Sequence, residues 1–221
     1  MSAHGGSESP FKTKDRILSA AERLFAQQGF AGTSLRQVTS LAEVNIAAVN
    51  YHFGSKENLV NEVFRRRLDE LSERRLGALD AALKTDPVEL EAILAAFIEP
   101  ALALTLDREG GPAFVRVLAR AYAEKNERLR SFLSEHYGHV LRRFSAAIGK
   151  AVPGLPKDEL YWRLDFIAGA LTYAMADFGL IKRPASISEH EHCLRAGRSL
   201  IRFAASGLRA PVLPSPDNRP S

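Results

Sequence analysis

Apolar residues recur at steps of three and four along nearly the whole chain. Ile17, Ala21, Leu24 and Phe25 share one such face, the spacing of an amphipathic helix, and Gly29 stops it. Leu35, Val38 and Ala42 mark a short helix opened by Thr33-Ser34, where a hydroxyl can cap free amides. Glu43-Val44-Asn45 separates it from a second short segment, Ile46 to Tyr51, and Phe53-Gly54-Ser55 breaks the chain again. Ser55 then caps a long helix that turns Leu59, Val60, Val63, Phe64, Leu68, Leu71 and Leu79 inward. Its outer face carries Arg65, Arg66, Glu70, Glu73 and Arg74, and the run Arg65-Arg66-Arg67 reads as a solvated face. Further helices are expected from Pro87 to about Leu106, over about 112–124 and 127–151, from Lys157 to Lys182, and from Ser188 to Ser206. That makes an all-α chain of about nine helices. Residues 1–10, polar and rich in Gly and Ser, and 209–221, with four prolines, read as disordered tails.

Composition agrees with the pattern. The 221 residues include 32 Ala and 28 Leu against 11 Val, 9 Ile and 6 Thr, which favours helix over sheet. One cysteine, Cys193, excludes an internal disulfide framework and suits a reducing compartment. The absence of an apolar run of ~18 residues and of an apolar stretch in the opening MSAHGGSESPFKTKD argues against a membrane span or a secretory signal. A cytoplasmic protein is expected. The net charge of +4 is compatible with nucleic acid without arguing for it.

The stretch from Thr33 to Lys56 carries the function. Two short amphipathic segments joined by a tight connection form a helix-turn-helix pattern. Once Leu35, Val38, Ala42, Val44, Val49 and Phe53 are assigned to its core, the outward positions are small and polar: Thr33, Ser34, Arg36, Gln37, Asn45, Asn50, Tyr51 and His52. Ala47 and Ala48 let the second helix press close to a surface. A protruding helix of this kind fits the DNA major groove.

The run from Ile17 to Leu59 resembles the DNA-binding domain of the TetR family of bacterial repressors. The likeness is carried by Leu24-Phe25, Gly29-Phe30, Thr33-Ser34, Val44 to Val49, Tyr51-His52-Phe53 and Ser55-Lys56-Glu57-Asn58-Leu59. Two positions depart from the family pattern: Glu43 stands where the turn often has glycine, and Asn50 where the second helix often has tyrosine. The resemblance implies a three-helix DNA-binding domain over 11–59 and an effector-binding and dimerisation domain over 60–208. It implies base-reading roles for Arg36, Asn45, Ala47, Ala48 and Asn50, and phosphate contacts from Thr33, Ser34, Tyr51, His52 and Lys56. Arg suits guanine and Asn suits adenine.

For the second domain the resemblance implies a small-molecule pocket between helices. The candidate lining is Leu94, Phe97, Ile98, Phe114, Val117, Leu118, Phe132, His136, Phe166 and Tyr173. Arg116 and Arg120 interrupt an apolar run and would suit an anionic group at the pocket mouth. The segments NIAAVNYHFGSK, AFVRVLARAY and LRSFLSEHY are similar to a subgroup that senses long-chain fatty acids or acyl-CoA, which implies a repressor of lipid-metabolism genes. The last two helices would form the homodimer surface, with Ala168, Gly169, Leu200, Ile201 and Phe203 as candidates, and a two-fold dimer reads a palindromic operator.

Other classes find less support. The chain has no GxGxxG, P-loop or GxSxG motif, so no enzyme and no cofactor is expected. His190 and His192 point about 200° apart on a helix and cannot share a metal ion. A helical interaction protein that uses the helix-turn-helix for protein contacts is the alternative. The first 60 residues hold only 6 Lys or Arg against 5 Asp or Glu.

Overall fold

The computed structural model describes residues 10–124, 126–176 and 182–212. It contains α1 (Pro10–Gly32), α2 (Leu35–Ala42), α3 (Ile46–Phe53), α4 (Lys56–Ala82), α5 (Leu90–Ala103), α6 (Gly111–Ala123), α7 (Glu127–Ala151), α8 (Lys157–Met175) and α9 (Glu189–Arg209). Among the described residues there is no strand, and no helix is long and apolar enough to cross a membrane. The all-α expectation holds. Several boundaries differ from the expected ones. α5 begins at Leu90 rather than Pro87, because Glu89 is still extended (φ −82°, ψ 133°), and it ends in a 3-10 turn, Leu104–Leu106. α8 ends at Met175; residues 177–181, in the helix expected to reach Lys182, lie outside the described residues. So do 1–9 and 213–221 of the two expected tails, while Pro10 already opens α1 and Arg209 still belongs to α9.

The chain forms two compact units. Of the described residues, the first comprises those up to Glu70 together with those between Asp107 and Glu135; the second comprises Leu71–Leu106 and those from His136 onward. α6 and the start of α7 therefore belong with the N-terminal helices, a division that differs from the expected boundary at residue 60.

In the first unit α1 packs against α2, α3 and α6. Its core holds Phe25, Phe30, Phe64 and Phe114 in edge and tilted ring contacts, with Ile17, Val38, Val49 and Leu59 fully buried around them. Glu22 and Arg67 bring charge into this core. The Arg67 side chain is 11% exposed and that of Glu22 is 3% exposed, so the Arg65-Arg66-Arg67 run is not a uniformly solvated face. Arg67 Nη2 lies 3.3 Å from Glu22 Oε1, Nη1 donates to Asp107 Oδ2 at 2.7 Å, and Nη2 also donates to the Glu109 carbonyl. This pairing is why a charge is tolerated there. Gly110, at φ 112°, gives the guanidinium room: a Cβ there would stand 2.3 Å from Nη2.

In the second unit α5 packs against α8 and α9, and α8 against α9. Gly197 brings α9 close to α5; a Cβ at that position would meet Leu102 at 3.2 Å. Leu160, Ile167, Leu171 and Met175 form the inward face of α8.

Candidate nucleic-acid interface

α2 starts at a reciprocal cap. The Ser34 hydroxyl accepts from the Gln37 amide at 3.3 Å, and the Gln37 side chain accepts from the Ser34 amide at 2.8 Å. Ser-x-x-Gln is the sequence signature of this box. Gln37 Nε2 also donates to Gln28 Oε1 at 3.0 Å, which ties α2 to α1. The turn after α2 rests on Glu43 in the left-handed region (φ 52°, ψ 47°), where most side chains are disfavoured. Arg16 holds it there. Its Nη2 donates to the Ala42 carbonyl at 2.6 Å and the Glu43 carbonyl at 2.9 Å, completing the C-terminus of α2. Arg16 is a residue that helical periodicity alone does not single out, because its partners lie 26 and 27 positions away.

α3 begins with Asn45, whose Oδ1 accepts from the Ala48 amide at 2.9 Å. Val49 and Phe53 bury one face of this helix, while Ala47, Asn50 and Tyr51 stand together on the exposed face, Tyr51 at 84%. The Tyr51 and His52 rings meet edge to face at 5.1 Å, with His52 half-buried. Ser55 caps α4 by accepting from the Asn58 amide at 3.1 Å. Glu57 completes that first turn: hydrogen bonds from its own backbone amide and from Ser55 hold its carboxyl below the usual range. Lys56 lies half-buried in the same turn.

The structure redistributes the expected DNA contacts. Arg36, Asn45, Ala47 and Asn50 are exposed, and Ala48 is half-buried. Asn45 uses its carbonyl oxygen as a cap, which leaves its amide group outward. Thr33 is a correction. It is 2% exposed and its hydroxyl donates to the Gly29 carbonyl at 2.8 Å, so it stabilises the α1–α2 connection and does not face a phosphate. Ser34 remains exposed beside its capping role.

The ten expected pocket residues do not all fall in one unit. Phe114, Val117, Leu118 and Phe132 belong to the first; Phe114 and Val117 are core, and Phe132 lies beneath Arg65, whose Cζ is 5.4 Å from the ring centroid. Leu94, Phe97, Ile98, His136, Phe166 and Tyr173 belong to the second. Leu94 and Ile98 are buried there, and Phe97 sits between Arg75, 3.8 Å from its ring centroid, and Phe144. His136 is exposed. Phe166 and Tyr173 correct the expectation: they are 65% and 51% exposed and share an outer stripe of α8 with Trp162 and Gly169. Arg120 does not stand free at a pocket mouth either, since it binds the end of α1. Of the expected dimer residues, Gly169 and Phe203 are exposed and Ala168 and Leu200 half-buried. Ile201 is a further correction, 8% exposed on the buried face of α9.

A capped short helix, a tight turn and a second short helix that exposes Ala47, Asn50 and Tyr51 place the chain in the helix-turn-helix class of transcription regulators. Comparison with known proteins narrows the class. Residues 17–63 match the profile described as bacterial regulatory proteins, tetR family, and residues 95–207 match the one described as tetracyclin repressor-like, C-terminal domain. The chain is 33% identical over 156 residues to the HTH-type transcriptional repressor NicS of Pseudomonas putida, covering 67% of this chain and 68% of that one. It is 34% identical over 127 residues to the HTH-type transcriptional regulator LmrA of Bacillus subtilis, covering 57% and 65%. In fold it is similar to the crystal structure of a putative tetR family transcription regulator from Shewanella sp. PV-4, with a TM-score of 0.62 at 20% identity over 87% of this chain and 95% of that one. The chain belongs to the TetR family of bacterial transcription regulators, and it is a regulator rather than an enzyme.

Proposed function

We propose that this chain is a homodimeric, effector-released repressor that reads a palindromic operator with α3. The observation that carries this reading is the exposed face of Ala47, Asn50 and Tyr51 on a helix whose opposite face is locked by Val49 and Phe53. Ala47 and Ala48 allow close approach to base edges, and Asn50 offers the paired donor and acceptor that matches adenine. Arg36, one helix earlier, supplies the fork that matches guanine. Ser34, Tyr51, His52 and Lys56 surround this face and would hold the phosphates, which fix register without reading sequence. Residues 11–59 form the reading domain in this account, residues 60–208 the effector-binding and dimerisation domain, and the protein works in the cytoplasm beside its DNA.

Dimerisation is assigned to the outer stripe of α8, Trp162, Phe166, Gly169 and Tyr173, with Phe203 of α9. Trp162, Phe166, Tyr173 and Phe203 are large and exposed, Gly169 between them is exposed too, and the Trp162 and Phe166 rings already pack at 6.0 Å. The effector is assigned to the long-chain fatty acids and their CoA esters. This rests on the likeness of NIAAVNYHFGSK, AFVRVLARAY and LRSFLSEHY to the subgroup that senses them, and it places the regulated genes in lipid metabolism.

Selection of genomic fragments with the purified protein, then gel shifts of the enriched fragment with and without oleate and oleoyl-CoA, tests both parts. The expected result is a palindromic fragment released by the acyl ligand. A fragment that both ligands leave bound would discard the lipid effector and keep the repressor. On that fragment, Lys56→Ala is expected to lower the slope of log affinity against log salt by about 1 while leaving the ranking of sites unchanged. A changed ranking would show Lys56 reading bases.

A further inference from the structure

Gly29 (φ 78°, ψ 174°) interrupts α1 three residues before its end. In an unbroken helix the Phe30 amide would donate to the Ala26 carbonyl. Here α6 supplies partners to both groups. Arg120 Nε donates to the Ala26 carbonyl at 3.1 Å and Nη2 to the Gln27 carbonyl at 2.9 Å. One turn later both oxygens of Glu124 accept from the Phe30 amide at 3.2 Å. A cation meets the carbonyl end and an anion the amide end, the favourable sense at each helix terminus, and both sets of bonds are charge-assisted. The positive φ calls for glycine at position 29, and a Cβ there would stand 2.2 Å from Glu124 Oε1, so a larger residue would displace that carboxylate from the Phe30 amide. The chain then passes through buried Thr33 to Ser34, the cap of α2.

We propose that Arg120 and Glu124 are positioning residues for DNA reading: they cap the two broken ends of α1 and thereby fix the direction in which α2, and α3 after it, leaves the first helix. The inference rests on α3 as the DNA-facing helix. The two residues touch no DNA in this account and act only through the backbone of residues 26–30.

The test uses the full chain with Glu124→Ala, Glu124→Gln and Arg120→Gln, and two readouts. The first is amide hydrogen exchange without DNA. Glu124→Ala is expected to speed exchange across residues 30–34 about 10-fold, with residues 59–64 of α4 unchanged. Glu124→Gln, whose amide oxygen still accepts, is expected to recover most of the protection. The second is affinity for the fragment that the wild-type chain enriches. Glu124→Ala is expected to lose about 10-fold, again largely recovered by Glu124→Gln. Should Glu124→Ala fail to fold, the milder Arg120→Gln carries the same comparison. Unchanged exchange at residues 30–34, or faster exchange with full affinity, overturns the proposal. A wild-type chain that enriches no DNA overturns the reading of α3 itself, and exchange still reports whether the clamp exists.

Discussion

Replacing Arg67 by methionine is expected to cost about 3–5 kcal/mol of folding stability, because it strands a buried charge. Glu22 lies at 3% exposure with Arg67 at 3.3 Å, and Asp107 and the Glu109 carbonyl share the same guanidinium. Methionine keeps most of the side-chain volume, so the loss reports charge rather than a cavity. The double variant Glu22→Leu/Arg67→Met should regain most of it, since a buried pair replaced as a whole is often neutral. The loss should also depend on pH. Burial pushes the Glu22 carboxyl above its ordinary range, with Arg67 acting against that rise. A raised folded value means that the folded chain holds the proton when the unfolded chain has released it, so this group's contribution weakens as pH climbs from about 4.5 through the folded value. Without Arg67 the rise is opposed only by the weaker attraction of Arg66. The deficit of the single variant is therefore expected to be largest near neutral pH and to shrink as the solution is acidified. Urea denaturation between pH 5 and pH 8 measures both effects. A loss under 1 kcal/mol would mean that Glu22 finds water or another partner.

Phe166→Asp is expected to convert the proposed dimer to a monomer and to abolish operator binding at concentrations where the wild type saturates. A central aromatic anchor contributes about 2 kcal/mol or more to an interface. A two-fold interface contains it twice, and the substitution also buries a carboxylate against the partner. The stripe of Trp162, Phe166, Gly169 and Tyr173 faces away from the packed side of α8. The monomer should therefore keep its helix content and its urea midpoint at low protein concentration. Sedimentation or light scattering gives the oligomeric state, and a gel shift gives the binding. A variant that stays dimeric would move the interface elsewhere.

The sequence made the reading unit legible because its signals are local. Leu35, Val38 and Ala42 set one helix, Val49 and Phe53 the next, and Ser34, Asn45 and Ser55 cap three successive starts within reach of their own amides. What escaped is long-range. Arg67 looked like one of three solvated arginines, since its partners lie 40 and 45 residues away. Arg120 looked like a free cation because its carbonyl partners are 93 and 94 residues distant. Thr33 looked like a phosphate ligand until the break at Gly29 turned its hydroxyl inward. α8 misled for a different reason: it is apolar on two faces, and periodicity does not say which of them meets its own chain. Leu160, Ile167 and Leu171 took the inner face and left Phe166 and Tyr173 outside.

In the proposed complex Asn50 reads a base in each half of a symmetric site. The most direct test of this role is selection from a randomised DNA pool with the wild type and with Asn50→Ala, scored base by base. The wild type is expected to enrich an inverted repeat, and Asn50→Ala to lose preference at one position and at its symmetry mate, by about 1–3 kcal/mol at each, with the other positions kept. Identical preferences for the two proteins, or a site without two-fold symmetry, would contradict it.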